Sequence, residues 1–287
     1  MQPTFVLVHG AFANSFSFSP LQAELGLLGH RSVAVDLPGH GFAATYPSAY
    51  QAPQDLAELA TAPGAIKGVT LADNVAHLIG ILERAKRNGP VVLVSHSRGG
   101  LTATVAANQR PDLIDRIVYV SAWAPVDLDV GAYYAEPEMA TVDAAGLAAA
   151  MVGNPVELGL LRVNFRTADP GALATYKEAF LADGTDDEFR VLLNTFQPDE
   201  NLDTGTPDDR AQADTWGRIP KTYVRLADDT SIPLAMQDRM IREGDALTPE
   251  NPYDVRTLPG SHLKWLVDPA PAARALGELA ALLPSES

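Results

Sequence analysis

The stretch Val91-Val92-Leu93-Val94-Ser95-His96-Ser97-Arg98-Gly99-Gly100 constrains the fold more than any other. Four apolar, mostly β-branched residues follow Gly89-Pro90, as in a short strand buried on both faces. A helix-compatible run of small and apolar residues, Leu101 to Ala107, comes directly after. Between them stands Ser97, flanked two residues away by Ser95 and Gly99. A strand that turns sharply into a helix with a serine at its apex is a nucleophile elbow. Small flanking residues are needed because the strand and helix backbones nearly touch there. The usual pattern is G-x-S-x-G, and this chain departs from it with Ser95. Serine still fits where bulk, more than positive φ, is the limit. The competing reading is a buried strand ending in an ordinary turn, since motifs this short also arise by chance.

The elements before and after this stretch alternate. Phe5 to Val8 is a second apolar strand, ending in the small-residue loop His9-Gly10-Ala11-Phe12-Ala13-Asn14. Ser19-Pro20 offers an N-cap and first-turn proline for a helix through Leu21, Leu25 and Leu28, stopped near Gly29-His30. Ser32 to Asp36 is the next strand, and the Ala-, Pro- and Gln-rich stretch to about Gly68 is longer than an ordinary loop. Thr70 with Asp73 starts a helix whose apolar face is Leu71, Val75, Leu78, Ile79 and Leu82. Asp115 to Ser121 is a further strand. Such alternation predicts right-handed βαβ units and a parallel sheet covered on both faces.

From about Trp123 to Ile219 no strand-like run is expected. Helical stretches dominate instead: Val142 to Met151, Pro155 to Phe165, Pro170 to Ala182 and Asp186 to Phe196. The division this predicts is a core of residues 1–122 and 217–287 with a helical cap of 123–216 folded over the sheet's carboxyl edge. Tyr133, Tyr134, Met139, Met151, Phe165, Phe180 and Phe196 could line a pocket, but most are expected to form the cap's own core. The sheet resumes at Pro220 to Leu226, a helix follows over Ile232 to Glu243, and Tyr253 to Leu258 alternates as a half-exposed edge strand. Asp268 to Leu283 reads as the closing helix.

Composition narrows the function. The 287 residues, 46% of them hydrophobic, are ample for one large core. A formal net charge of −15 repels phosphate backbones and anionic bilayers, which argues against nucleic-acid and membrane partners. The chain has no cysteine, which excludes disulfides and thiol catalysis. Met1 to Thr4 leads straight into a strand with no basic leader, and no 18-residue apolar run occurs, so a cytoplasmic location is expected.

A serine nucleophile needs a base, and the base an orienting carboxylate. On an elbow-type sheet they follow in the order serine, acid, histidine. Of the six histidines, His9, His30, His40, His77, His96 and His262, only His262 lies C-terminal to Ser97. It sits in Pro259-Gly260-Ser261-His262, after the last strand, where it can reach back over the sheet edge. The acid should lie past the preceding strand, where Asp228 and Asp229 both qualify; Asp127 and Asp129 are weaker candidates.

The chain resembles the α/β-hydrolase superfamily, and within it the plant methylesterase and hydroxynitrile lyase family with its bacterial esterase relatives. The resemblance rests on Phe5 to Ala11, Gly29-His30, Ala34 to Leu37, Ser95 to Gly100, Asp229-Thr230-Ser231-Ile232-Pro233 and Gly260-Ser261-His262. It is weakest over residues 42–69 and the helical insertion. It implies an aspartate before x-x-Ile-Pro, which selects Asp229, and oxyanion donors at the backbone N–H of Ala11 and of Arg98. It further implies acyl transfer: Ser97 attacks an ester carbonyl, His262 takes and returns the proton, and Asp229 holds the imidazole. No metal or organic cofactor is required.

The lyase branch has threonine at the position of Gly10 and lysine directly after the catalytic histidine, where this chain has Leu263. Cyanohydrin cleavage is therefore disfavoured, and Ser97 disfavours the epoxide hydrolases and dehalogenases, which place aspartate at the elbow. A lactonase or a carbon–carbon bond hydrolase would use the same three residues. A non-catalytic small-molecule-binding protein of this fold is the alternative from another class; such proteins often lose a triad member, and this chain keeps all three. The expected partner is a small hydrophobic or aromatic ester, a methyl ester among them, with Phe12 and Trp123 as a candidate aromatic wall; a homodimer stays open. The Arg98 side chain is expected to pair with an acidic residue of the insertion, the alternative being a polar group on the substrate.

Overall fold

The computed structural model describes residues 2–283. Among these described residues eight strands form in chain order: β1 Thr4–Val8, β2 Arg31–Val35, β3 Val91–Ser97, β4 Arg116–Ala122, β5 Leu161–Arg162, β6 Asp199–Glu200, β7 Lys221–Leu226 and β8 Asp254–Leu258. Six of them make one sheet in the order β2-β1-β3-β4-β7-β8, with every pair parallel. The helices of eight residues or more are α1 Ser19–Leu27, α2 Leu71–Lys86, α3 Gly99–Gln109, α4 Pro170–Leu181, α5 Asp186–Leu193, α6 Leu234–Leu247 and α7 Ala270–Ala280.

The pleat sends alternate residues to opposite faces, and both faces are covered. Val6, Val8, Leu93 and Ile117 pack with Leu71, Val75 and Leu78 of α2 and with Met236 and Met240 of α6. Phe5, Leu7, Val92 and Val94 pack with Leu21 and Leu25 of α1 and with Leu276 of α7. The central strands are therefore almost wholly buried, with apolar runs at 5–8, 91–94 and 117–120, while β7 mixes Lys221, Thr222 and Arg225 with Tyr223, Val224 and Leu226. The outermost strand β8 is half-exposed along its length, as its alternation predicts. This is the α/β-hydrolase architecture expected from the alternation and the resemblance.

Helix α2 starts with the expected capping box, Thr70 and Asp73 each serving the other's backbone N–H. Elsewhere boundaries shift. A turn of 3₁₀ helix over Ser15–Phe18 runs directly into α1, so Phe18 rather than Ser19 occupies the cap. Helix α6 begins only after Pro233, and a separate turn at Lys264–Val267 precedes α7.

Between β4 and β7 the expectation of no strand is corrected. Two of the expected helices form over Pro170–Leu181 and Asp186–Leu193, close to their expected bounds, while the other two are shorter than expected, Ala144–Ala149 and Pro155–Leu158. The Pro155–Leu158 helix ends at Gly159, where φ of 71° turns the chain into β5. Strands β5 and β6 then pair antiparallel, Leu161 opposite Glu200 and Arg162 opposite Asp199. Two residues each are too few to show a strand period in sequence. Phe165 stacks on Phe196 at 4.7 Å between ring centroids, but Phe165 belongs to the same buried cluster as Phe5 and Leu7, and Tyr133 and Met139 to the cluster on the other sheet face. The expectation of a separate core for this segment is therefore corrected: these residues extend the main core.

Candidate active site

Strand order reverses between β1 and β3, since the chain passes from β1 to β2 on one side and returns to β3 on the other. In an open parallel sheet, ligands bind at the carboxyl ends of strands flanking such a switch. The residues that end these two strands are the His9-Gly10-Ala11 loop and Ser97. Val8 stands opposite Ser95 in the ladder, which sets the two loops side by side.

Ser97 is the last residue of β3, α3 begins at Gly99, and Ser97 itself has φ of 52°. A non-glycine residue in this region is strained and persists where its surroundings over-determine it. Those surroundings are tight. A Cβ on Gly99 would collide with the His9 carbonyl oxygen, and one on Gly100 with that of Trp123. A Cβ on Gly10 would lie 2.7 Å from Ser97 Cβ. Bulk at these three positions is excluded by backbone and by the serine. Ser95 is fully buried, and its Oγ donates to Val118 O at 3.3 Å.

Asp229 and His262 are brought together across the ends of β7 and β8. His262 Nδ1 lies 2.6 Å from Asp229 Oδ2, and because a carboxylate only accepts, Nδ1 is the donor of this bond. Ser121 donates to the same Oδ2 at 2.5 Å, while the N–H groups of Ser231 and Ile232 donate to Oδ1 at 2.7 and 2.9 Å. Burial works against the Asp229 charge, but His262 and these donors outweigh it and hold the carboxyl below its ordinary value. Asp228, the alternative acid, turns to the backbone instead: its Oδ2 accepts Gly260 N–H at 3.0 Å and so pins the histidine loop.

The His262 ring lies 4.4 Å from that of His96, the residue before Ser97. Burial, then the nearby His262, pushes His96 down to about 3 and keeps it neutral. Its Nδ1 donates to Val120 O at 2.9 Å. Among the described residues Ser97 Oγ makes no hydrogen bond.

The backbone N–H groups of Ala11 and Arg98 likewise have no acceptor among the described residues, whereas the N–H of Phe12 donates to Glu200 Oε2 at 3.0 Å. Phe12 is half-buried at φ of 57°, with its ring 5.5 Å from Phe165. Trp123 is buried against Tyr133 and Tyr134, and its N–H donates to Ser97 O at 3.0 Å. The Arg98 side chain turns to the segment between β4 and β7, as expected: it donates to Asn201 Oδ1 at 2.7 Å and to the Asp203 carbonyl, with Nε 3.9 Å from Glu200 Oε1. Ser121 and Glu200 are polar residues of the site that sequence reasoning did not single out. Among the described residues, no three His, Asp or Glu side chains converge to hold a metal.

The model of the alpha/beta hydrolase family matches residues 5–275. This chain belongs to that family. Among curated members it is similar to a pyrethroid hydrolase of Sphingobium wenxiniae, 26% identical over 96% of this chain and 86% of that protein. It is also similar to Methylesterase 7 of Arabidopsis thaliana, 25% identical over 84% of each. Among solved structures, polyneuridine aldehyde esterase superposes with a TM-score of 0.70 at 20% identity, covering 98% of this chain and 100% of that one, a likeness of fold. Within the family the chain is a hydrolase of the carboxylesterase type. No helix among its described residues is long and apolar enough to cross a membrane.

Proposed function

We propose that the chain is a serine carboxylic-ester hydrolase that works through an acyl-enzyme. The observation that carries the reading is the buried Asp229–His262 pair at 2.6 Å, beside an elbow that presents Ser97 at φ of 52°. Ser97 Oγ attacks the ester carbonyl while His262 Nε2 takes its proton, and Asp229 holds the tautomer and offsets the charge that forms on the ring. The developing oxyanion takes the N–H groups of Ala11 and Arg98, which have no acceptor among the described residues. His262 then protonates the leaving alcohol, and water releases the acid by the same steps in reverse.

The names of the relatives, a pyrethroid hydrolase and plant methylesterases, support a small hydrophobic or aromatic ester, including a methyl ester. We assign Phe12 and Trp123 to the aromatic wall of its site, and residues 123–216 to a cap over it. Gly10 counts against cyanohydrin cleavage, because a side chain there would meet Ser97.

Hydrolysis of a panel of aryl acetates and methyl esters tests the reading, with Ser97→Ala as the control. The expected outcome is turnover by the wild type and loss of at least about 10³-fold in S97A with an unchanged melting temperature. A wild type that binds small esters yet turns over none would make this a binding protein.

A further inference from the structure

Glu200 is a carboxylate of the segment between β4 and β7, only 2% exposed, and it lies behind the oxyanion donors. Its Oε2 accepts the N–H of Phe12 at 3.0 Å and lies 3.2 Å from His40 Nε2. Its Oε1 accepts Asn201 N–H and Nδ2–H, both at 2.9 Å, and stands 3.9 Å from Arg98 Nε. Asn201 Oδ1 in turn accepts from Arg98 Nη2 at 2.7 Å. A buried carboxylate must be partnered, so these contacts hold it to one geometry.

Two of those contacts fall on the residues that carry or adjoin the donors. Phe12 directly follows Ala11 and sits at φ of 57°, a conformation its side chain disfavours. The backbone there is clamped from both sides, Phe12 N–H by Glu200 and Phe12 O by Gln197 N–H at 2.9 Å. Arg98, the other donor residue, is held through its side chain by Glu200, Asn201 and the Asp203 carbonyl. Burial opposes the Glu200 charge, but His40 and Arg98 keep it ionised, down to about 2.

We propose that Glu200 is a positioning residue for the oxyanion hole, fixing the Ala11 and Arg98 N–H groups relative to each other through Phe12 and the Arg98 side chain. The assignment rests on the ester-hydrolase reading above. It differs from a merely structural ion cluster in one respect. Loosening Glu200 acts on the transition state, where the oxyanion exists, and not on ground-state ester binding.

The test uses the full chain, p-nitrophenyl acetate, and an aryl trifluoromethyl ketone, whose adduct with a serine carries an oxyanion. Losing one oxyanion donor outright costs about 10²–10³ in rate, so misaligning both is expected to lower kcat about 30-fold in Glu200→Ala and about 10-fold in Glu200→Gln. KM should stay within about threefold, and ketone affinity should weaken by the same factor as kcat. Arg98→Met, which keeps its backbone N–H, should lose about 10-fold, and the E200Q/R98M double variant much less than the product of the two. Should Glu200→Ala not fold, Glu200→Gln and Arg98→Met carry the same readouts. The assignment is overturned if folded E200Q and R98M keep kcat within twofold, if KM alone rises, or if kcat falls while ketone affinity is unchanged. A wild type that hydrolyses no ester overturns the hydrolase reading and this assignment together. An active wild type with unaffected variants overturns this assignment alone.

Discussion

Ser121 Oγ donates to Asp229 Oδ2 at 2.5 Å, the carboxylate oxygen that also accepts from His262 Nδ1. Ser121, the penultimate residue of β4, has φ of 36° and is the residue skipped where the register shifts between His96 and Ser97. Its hydroxyl reaches Asp229 because β4 and β7 are neighbours in the sheet. A hydrogen bond to a charged group contributes about 1.5–3 kcal/mol, and two backbone N–H groups still hold the carboxylate without it. Ser121→Ala is therefore expected to lower kcat about 10-fold with KM little changed. Steady-state kinetics on an aryl acetate checks this, and a kcat within twofold of wild type would refute the role.

The two adjacent aspartates should separate cleanly. In Asp229→Asn the amide oxygen stays with the Ser231 and Ile232 N–H groups and the NH2 group faces His262 Nδ1, which reverses the imidazole tautomer, and kcat should fall by about 10³–10⁴. Asp228→Asn keeps an oxygen that can accept the Gly260 N–H, so its activity should stay within a few-fold. Asp228→Ala removes that anchor from the histidine loop and should fall between the two. The reverse ranking of D229N and D228N would reassign the acid.

Much of this site was legible in sequence, because its residues are tied to chain order and to backbone sterics. Ser97, the Gly10 loop and His262 occupy strand ends, and strands buried on both faces announce themselves as runs such as Val91 to Val94. Asp229 needed the resemblance, since nothing local distinguishes it from Asp228 before Ser231 and Ile232 fold onto it. Ser121 and Glu200 were silent: each acts through a partner more than 100 residues away, and one polar residue in a strand or loop carries no period. The expected pairing of Arg98 with the insertion was readable as a cation beside an acidic segment. Strands β5 and β6 were not, because tertiary pairing alone defines two-residue strands.

Gly10 offers a steric test of the elbow. A Cβ there would lie 2.7 Å from Ser97 Cβ and 3.2 Å from its Oγ, so Gly10→Ala must push the serine or the loop that carries Ala11. Forced overpacking costs about 1–3 kcal/mol, and a displacement near 1 Å costs about 10²-fold in rate. Activity should therefore fall by about 10² while the protein still folds, with loss of ketone affinity as a second readout. Unchanged kinetics in G10A would mean that the serine and this loop are not in mutual contact.

Acid should destabilise the fold through two histidines before it reaches the carboxylates. Burial, followed by the charge of His40 for His9 and of His262 for His96, lowers both from 6.5 to about 3. Hydrogen bonds agree with neutral rings: His9 Nδ1 donates to Gly10 O at 2.8 Å while its Nε2 accepts Leu37 N–H at 3.2 Å. Between pH 3 and 6.5 the unfolded chain binds protons that the native state does not, so stability falls as pH falls. For His40 burial also disfavours the charge, but Glu200 raises it, so its contribution is intact below 6.5 and is lost as pH rises above that value. Urea unfolding between pH 5 and 6.5 should show a slope approaching about two protons near pH 5, each worth about 1.4 kcal/mol per pH unit. His96→Gln should remove about one of them. A slope unchanged in H96Q would show that His96 is charged in the native protein.

The fully buried Arg162 tests how the segment between β4 and β7 is held to the rest of the chain. Its Nε and Nη2 donate to Asp199 Oδ1 and Oδ2 at 2.6 and 2.7 Å, and its Nη1 donates to the carbonyls of Leu59 and Ala62, both at 2.7 Å. One guanidinium thus ties β5 to β6 and both to the loop before α2. Asp199→Ala leaves that cation buried without its anion, which should cost about 3–5 kcal/mol. Replacing both partners with apolar residues, as in Arg162→Met with Asp199→Leu, removes the charge but orphans the two carbonyls, each worth about 1–3 kcal/mol when buried and unmet. The double variant should therefore recover part of the loss yet remain below wild type. Urea unfolding with a constant m-value is the measurement. A double variant as stable as wild type would show that water, not Arg162, satisfies Leu59 and Ala62.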